Sequence, residues 1–143
     1  MLPYLGHNLA HIVNLKRRRL DSYLQSAGIT RPQCQVLLML HVHGDGTQKS
    51  LLGRLDMDPA QLARTLDALE KDGYVSRRPW QENRRCMFVE MTERCRNERM
   101  PALLAAMNSV EAQLFSGFSK DELALMHTML TRMQANLQPD EDQ

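Results

Sequence analysis

Hydrophobic and polar positions alternate with a helical period along most of the chain. Between residues 5 and 26, large apolar side chains recur every three or four positions, which predicts an amphipathic helix ending at Ala27-Gly28. The run Thr30-Arg31-Pro32-Gln33 combines a capping threonine, a proline in the first turn and a glutamine three residues after the cap. A second helix is therefore predicted to begin there and to stop near Gly44.

Two short helices and a β segment are predicted next. Thr47 and Asp58 are typical N-caps, and Gly73 is the expected C-terminal stop of the second helix. Residues 43–46, which connect the second predicted helix to the helix capped by Thr47, are interpreted as a loop. The segments 74–78 and 86–91 alternate as strands do and predict a hairpin with one buried side. Three side chains of its second arm are expected on that side: Met87, Val89 and Met91.

The remaining chain returns to a helical pattern. Thr92 is predicted to cap a long helix, which Pro101 is expected to kink or interrupt because proline lacks an amide hydrogen. Ser119 and Glu122 form a second capping box at the start of the last helix. Residues 139–143 are acidic and are predicted to be a flexible tail. The fold class expected is mainly α with a small β-hairpin wing.

The composition narrows the class of protein. Hydrophobic residues make up 43% of the 143 residues, enough to build the core of one domain spanning 1–143. No apolar run approaches the roughly 20 residues that span a bilayer, and no export signal is recognisable. Cys34, Cys86 and Cys95 are an odd number without metal-like spacing, which favours reduced thiols in a cytoplasmic protein. We expect no membrane association, metal or cofactor.

The net charge of +1 conceals an asymmetry. Residues 1–99 carry 16 Lys and Arg against 11 Asp and Glu, whereas residues 100–143 carry 2 against 6. The basic part is rich in arginine, whose planar guanidinium forms two-pronged hydrogen bonds with phosphate and guanine. This distribution favours a polyanionic partner at one end of the molecule, although ordinary surface charge also produces it.

The segment from Thr47 to Thr92 gives this charge a function. Two short helices at a tight turn followed by a basic hairpin are typical of a winged helix-turn-helix, whose second helix offers its N-terminal, outward residues to base edges in the major groove. Arginines at a hairpin turn are suited to the narrow minor groove. The residues predicted to contact double-stranded DNA are Pro59, Ala60, Gln61, Arg64, Thr65, Arg77, Arg84 and Arg85.

In these motifs the chain resembles the multiple antibiotic resistance regulator (MarR) family. The most specific part is 66–92, which contains Leu66-Asp67-Ala68-Leu69-Glu70-Lys71-Asp72-Gly73-Tyr74-Val75, then Arg77-Arg78, Arg84-Arg85 and Met91-Thr92-Glu93. The likeness extends from about residue 5 to 137. It implies a bacterial transcriptional regulator with a DNA-binding lobe at 30–92.

The resemblance also implies an assembly and a mode of regulation. Residues 1–29 and 93–138 are then dimerisation helices, and the homodimer binds a pseudo-palindromic operator. A small aromatic effector is expected in a pocket between the dimerisation region and the lobes, releasing a repressor from DNA. The effector-binding residues are not predicted.

Three positions depart from the family pattern. Asn83 stands where an aspartate usually precedes the paired arginines, so this side chain cannot form an ion pair with them. Met91 replaces a usual leucine and Cys95 a usual glycine. We expect a looser wing from the first departure and a mild change of packing from the second. Cys95 is interpreted as a small buried thiol, with a redox sensor as the alternative.

Other functions remain as alternatives. His7 with His11, and His41 with His43, are spaced for a metal-responsive regulator, but neither pair completes a recognised ligand set. Cys86 follows two arginines, which leaves a redox-responsive regulator open. A helical adaptor that does not bind DNA is a further class. The chain has no phosphate loop, nucleophile motif or metal triad, so we expect that it is not an enzyme.

Overall fold

The computed structural model describes residues 4–139 and is mostly helical with one small antiparallel sheet. This confirms the predicted fold class. Residues 140–143 of the predicted tail lie outside the described residues. The elements in chain order are α1 Leu5–Ala27, α2 Arg31–His43, β1 Gly46–Thr47, α3 Gln48–Arg54, α4 Pro59–Lys71, β2 Val75–Pro79, β3 Met87–Met91, a π-helical turn Cys95–Arg99, α5 Met100–Leu114 and α6 Lys120–Leu137.

Side-chain caps set the beginnings of the helices. The Thr30 hydroxyl accepts a hydrogen bond from the Gln33 amide, and the Gln33 side chain accepts one from the Thr30 amide. Ser119 and Glu122 form the same reciprocal pair at the start of α6. Each contact satisfies an amide that the first turn of a helix leaves without a partner. Both predicted capping boxes are confirmed.

The sheet has three strands in the order β1-β3-β2, all antiparallel. The predicted hairpin is confirmed, with Val75 opposite Met91 and Arg78 opposite Phe88. The third strand, β1, begins at Gly46, the last residue of the stretch predicted as a loop, and that prediction was wrong for Gly46. A two-residue strand contains no period that a sequence pattern can reveal.

The inner face of the hairpin is shorter than predicted. Val89 and Met91 are buried, but the side chain of Met87 is 37% exposed. Met87 lies opposite Pro79 in the last pair before the turn, at the end of the strand farthest from the core. The prediction that Met87 is buried was therefore wrong, because alternation assigns a face of the strand but not how far the core extends along it.

The core joins the first four helices, the π-helical turn and α5 to the sheet. Leu37, Leu66 and Val89 are almost completely inaccessible to water. Truncating a leucine in such a place removes contacts and leaves a cavity, at a cost of about 2–5 kcal/mol. The other members are Leu24, Ile29, Cys34, Val36, Leu40, Leu51, Leu62, Leu69, Val75, Met91, Cys95, Met100 and Leu103.

The interruption expected at Pro101 takes the form of a π-helical turn just before it. The Thr92 hydroxyl accepts a hydrogen bond from the Cys95 amide, confirming the predicted cap. The Met100 amide then bonds to the carbonyl of Cys95, five residues back, and an ordinary α-helix continues to Leu114. Proline lacks an amide hydrogen and its ring crowds the carbonyl four residues before it, so a widened turn accommodates it.

The chain forms two compact units, Met1–Val110 and Glu111–Gln143. α6 has apolar residues at helical spacing, yet none of its residues is buried.

Among the described residues no helix combines the length and the hydropathy needed to cross a membrane. The predicted division into a DNA-binding lobe and dimerisation helices remains a prediction.

Candidate nucleic-acid interface

The N-terminal turn of α4 presents an accessible surface. The Asp58 carboxylate accepts a hydrogen bond from the Gln61 amide at 2.8 Å, which fixes the start of the helix. Pro59, Ala60 and Arg64 are exposed, and Gln61 is half-buried. Leu62, Leu66 and Leu69 point into the core on the opposite side. The first turn of α4 is therefore accessible to a partner, while the contact of these four residues with DNA remains a prediction.

Thr65 is placed differently from its prediction. Only 8% of it is exposed, and its hydroxyl donates to the carbonyl of Gln61 at 2.7 Å. Thr65 lies three residues after Leu62 and four before Leu69, so a period of 3.6 puts all three on one face. The prediction that Thr65 faces outward was therefore wrong.

The turn of the wing is organised by Asn83. Its side-chain oxygen accepts a hydrogen bond from the Arg85 amide at 3.1 Å, and its carbonyl accepts one from the Cys86 amide at 2.9 Å. Short polar side chains stabilise turns in this way by bonding to the backbone two residues on. Arg84 and Arg85 are exposed, and neither side chain forms an ion pair with another residue between 4 and 139.

The two arginines of β2 are paired instead. The guanidinium of Arg77 contacts Asp67 at 2.5 Å and Glu70 at 3.2 Å, both on α4, and its side chain is only 17% exposed. The hydrogen bond to Glu70 raises the pKa of Arg77 further above its usual value. Arg78 bonds to Glu90 at 2.9 Å and stacks on Phe88. These contacts favour a role for Arg77 in bracing the wing against α4, and the predicted DNA contact stays untested.

A cleft of about 380 Å³ joins the three elements of this surface. Lys49 from α3, Pro59 from α4 and Arg85 from the wing all line it. It therefore brings together one residue of α4 and one of the wing that were predicted to contact DNA, with Lys49, a cation that the sequence pattern did not indicate. The signal for Lys49 was its position two residues after the cap Thr47, at the exposed start of α3.

The three cysteines differ in their surroundings. Burial and the nearby charge of Asp21 raise the pKa of Cys34 to about 11. Burial likewise raises the pKa of Cys95, and Arg96 and Arg99 oppose it only in part. Neither thiol is activated for oxidation, since the thiolate is the reactive form. Cys86 is half-buried and lines the cleft beside Arg85.

The two histidine pairs lie at the surface. His7, His11, His41 and His43 are all exposed. Over residues 4–139 no three His, Cys, Asp or Glu side chains lie close enough together to hold a metal ion.

A second cavity of about 380 Å³ lies beside the end of β3. It is lined by the apolar side chains of Leu40, Met91 and Leu104 and by the polar side chains of His41, Asp45 and Arg96. Nη2 of Arg96 is 3.9 Å from a carboxylate oxygen of Asp45. Such a combination of apolar wall and few polar groups suits a small organic molecule.

The comparisons with known proteins agree with this architecture. A family model described as the MarR family matches residues 29–87. The solved structure of the transcriptional regulator PA3341 is 32% identical, covers 94% of this chain and 98% of its own, and superposes with a TM-score of 0.82. A structure of MarR itself is 31% identical, covers 92% and 96%, and has a TM-score of 0.75.

This chain belongs to the MarR family. A mutant MarR from E. coli, solved in complex with operator DNA, is 25% identical, covers 92% of this chain and 94% of its own, and has a TM-score of 0.77. The resemblance inferred from the sequence is thereby confirmed. The structure is that of a MarR-family winged-helix transcriptional regulator with a DNA-binding fold.

Proposed function

We propose that this MarR-family chain binds a specific double-stranded DNA operator, with α4 in the major groove. The observation that carries the proposal is the exposed first turn of α4, where Arg64 projects opposite the buried leucines and forms no ion pair with another described residue. A guanidinium in this position can form two hydrogen bonds with guanine, and the side-chain carboxamide of Gln61 can form two with adenine. Pro59 and Ala60 are exposed in the same turn and would lie against the DNA backbone beside the major groove.

The wing supplies the second contact. Arg84 and Arg85 are exposed at a turn that Asn83 organises, and Arg85 lies in the same cleft as Lys49. Their charges suit the minor groove and the phosphates beside the site occupied by α4. The operator complex of the E. coli relative supports DNA as the partner.

We infer that the regulator acts as a homodimer. α6 is 18 residues long with no buried residue, and α1 exposes several large apolar side chains, including Ile12 and Val13. A two-fold partner is the commonest way to cover such surfaces. A homodimer presents two copies of α4, which matches an inverted repeat with half-sites about one helical turn apart. Light scattering that finds a stable folded monomer at micromolar concentration would contradict this.

We further propose that a small aromatic acid releases the protein from its operator. The cavity edged by Asp45 and Arg96 supports this, because its apolar wall suits a ring and Arg96 suits a carboxylate. The site is within the first compact unit, beside the end of β3. Salicylate that alters neither the melting temperature nor the operator affinity of wild type, at millimolar concentration, would count against this site.

Selection from a pool of random duplexes tests the proposed function. The purified protein is incubated with the pool, bound duplexes are amplified, and the rounds are repeated at rising salt. We expect enrichment of an inverted repeat, with protection of two half-sites in footprinting. No enriched sequence after several rounds would contradict sequence-specific binding and favour the adaptor alternative.

A further inference from the structure

The tyrosine that follows α4 is held by two arginines from the π-helical turn region. The guanidinium carbons of Arg94 and Arg99 lie over the ring of Tyr74, at 5.1 and 4.9 Å from its centre. Each such contact is favourable because the face of an aromatic ring is electron-rich. We call these three residues the tyrosine clamp.

Each arginine of the clamp also holds the end of a helix. Arg94 donates from Nη1 to the carbonyl of Asp72, the C-cap of α4, at 2.7 Å. Arg99 donates from Nη1 to the carbonyl of Ala27, the last residue of α1, at 2.6 Å. Carbonyls at the end of a helix lack partners within it and carry partial negative charge, so a cation there is stabilising. The clamp thus joins the ends of α1 and α4 through one ring.

Glycine makes this approach possible next to α4. Gly73 has φ +78° and follows Asp72 directly. A Cβ at this position would lie 3.0 Å from Nη1 of Arg94. The backbone then closes the helix, with the Gly73 amide bonded to Glu70 and the Tyr74 amide bonded to Leu69. The position of Tyr74 is therefore part of the geometry that ends α4.

The π-helical turn accounts for the pairing of these two arginines. In an α-helix, residues five apart point about 140° away from each other around the axis. A turn with hydrogen bonds between residues five apart brings such residues to the same side instead, as residues four apart are in an α-helix. Arg94 directly precedes this turn and Arg99 is its last residue, so the two are five apart and both reach one ring.

We propose that the tyrosine clamp positions α4 for reading DNA. Arg94 and Arg99 are positioning residues: they act on the recognition helix through Tyr74 and the carbonyl of Asp72. This inference rests on the proposed function, since it assumes that α4 reads the operator. Its physical part, that the clamp restrains the end of α4, stands independently of DNA.

Amide hydrogen exchange tests the restraint without DNA. We expect Arg94→Gln to speed exchange of the Gly73 and Tyr74 amides by roughly tenfold, the low end for one hydrogen bond from a charged group, because the Arg94 side chain is half exposed. The sharper test is Arg99→Gln: Arg99 bonds to the end of α1, yet its loss should speed exchange of the same amides through Tyr74. Arg132→Gln, which removes one exposed charge from α6, is the matched control and should leave them unchanged.

The ring itself is tested with a pair of variants. Tyr74→Phe keeps the ring and should retain slow exchange and operator affinity. Tyr74→Leu removes it and should lose both, and a melting curve shows whether the variant is folded. The arginine variants alter partly exposed side chains and keep the test open if Tyr74→Leu does not fold.

Affinities for the selected operator and for a scrambled duplex then test the role. Arg94→Gln and Arg99→Gln should lower the ratio of the two affinities by about tenfold, with little change in salt dependence. Equal weakening on both duplexes with a shallower salt slope would identify Arg94 as a phosphate contact and overturn the proposal. Unchanged exchange in both arginine variants would also overturn it. If wild type fails to discriminate the duplexes, the proposed function fails, and the exchange data judge the restraint by themselves.

Discussion

The side-chain oxygen of Asn83 accepts a hydrogen bond from the backbone amide of Arg85 at 3.1 Å. This contact uses the geometry available to an aspartate but carries no charge. The sequence led us to expect a looser wing because Asn83 cannot form an ion pair. The hydrogen bond replaces that restraint with a local one, which spans Arg84 and holds the backbone of Arg85.

The first prediction concerns this turn. Asn83→Ala removes the acceptor, and should speed exchange of the Arg85 amide and weaken binding to operator and scrambled duplexes evenly, by about two- to fivefold. Asn83→Asp keeps the acceptor and should keep the slow exchange, while its added charge repels DNA. Equal exchange of the Arg85 amide in wild type and Asn83→Ala would show that the side chain does not order the turn.

Substitutions at the neighbouring residues Arg64 and Thr65 of α4 should have different effects on operator affinity. Arg64→Ala removes an exposed guanidinium and should cost about 1–3 kcal/mol at the operator, with relaxed preference at one base pair. Thr65→Val keeps the buried volume and removes only a hydroxyl bonded to Gln61, so operator affinity should stay within about twofold. Titrations on operators with single base changes measure both. A large loss in Thr65→Val together with none in Arg64→Ala would reverse the orientation assigned to α4.

Replacing Arg77 should lower stability, whereas replacing Arg84 should change the salt dependence of DNA binding. Arg77→Gln breaks the pairs with Asp67 and Glu70, and should lower the free energy of unfolding by about 1–2 kcal/mol while the salt dependence of DNA binding stays the same. Arg84→Gln should leave stability unchanged and flatten the salt slope by about one unit. Thermal melts and salt titrations of both variants separate the roles. A shallower salt slope in Arg77→Gln would restore its predicted DNA contact.

The raised pKa of Cys34 predicts that the stability of the folded chain falls at alkaline pH. Its pKa is about 11 in the folded chain against 9.0 for an unperturbed thiol, because burial and Asp21 disfavour the thiolate. The folded state therefore binds more protons than the unfolded state between these values, and stability should fall as pH rises from about 9 to about 11. Urea midpoints across this range, compared between wild type and Cys34→Ala, measure the effect. The fall should be smaller in the variant, and parallel curves would contradict the assignment.

Local features were predictable from the sequence, whereas features made by distant residues were not. The caps Thr30, Asp58 and Ser119 act within three residues of themselves, so their composition reveals them. The carboxylates that pair with Arg77 lie on α4, and neither helical period nor charge count locates them beside β2. Thr65 was misplaced although the period was visible, because its polar side chain was given more weight than its spacing from Leu62 and Leu69.

The interface shows the same division. The exposed turn of α4 and the arginines of the wing followed from helix capping and hairpin patterns. The tyrosine clamp depends on a π-helical turn and on the approach of Arg94 to Gly73. From Pro101 the sequence predicted an interruption of the helix but not its form. Such contacts need the three-dimensional arrangement of helix ends far apart in the chain.

A salt titration of wild type on two duplexes tests the central claim most directly. Fluorescence anisotropy measures affinity for the selected operator and a scrambled duplex of equal length and composition. We expect the operator to bind at least about 10³-fold more tightly, with both affinities falling linearly on logarithmic axes as salt rises. Arg64→Ala should reduce the ratio, whereas Arg84→Ala and Arg85→Ala should reduce the slope. Equal affinity of wild type for both duplexes at every salt concentration would contradict sequence-specific recognition by this chain.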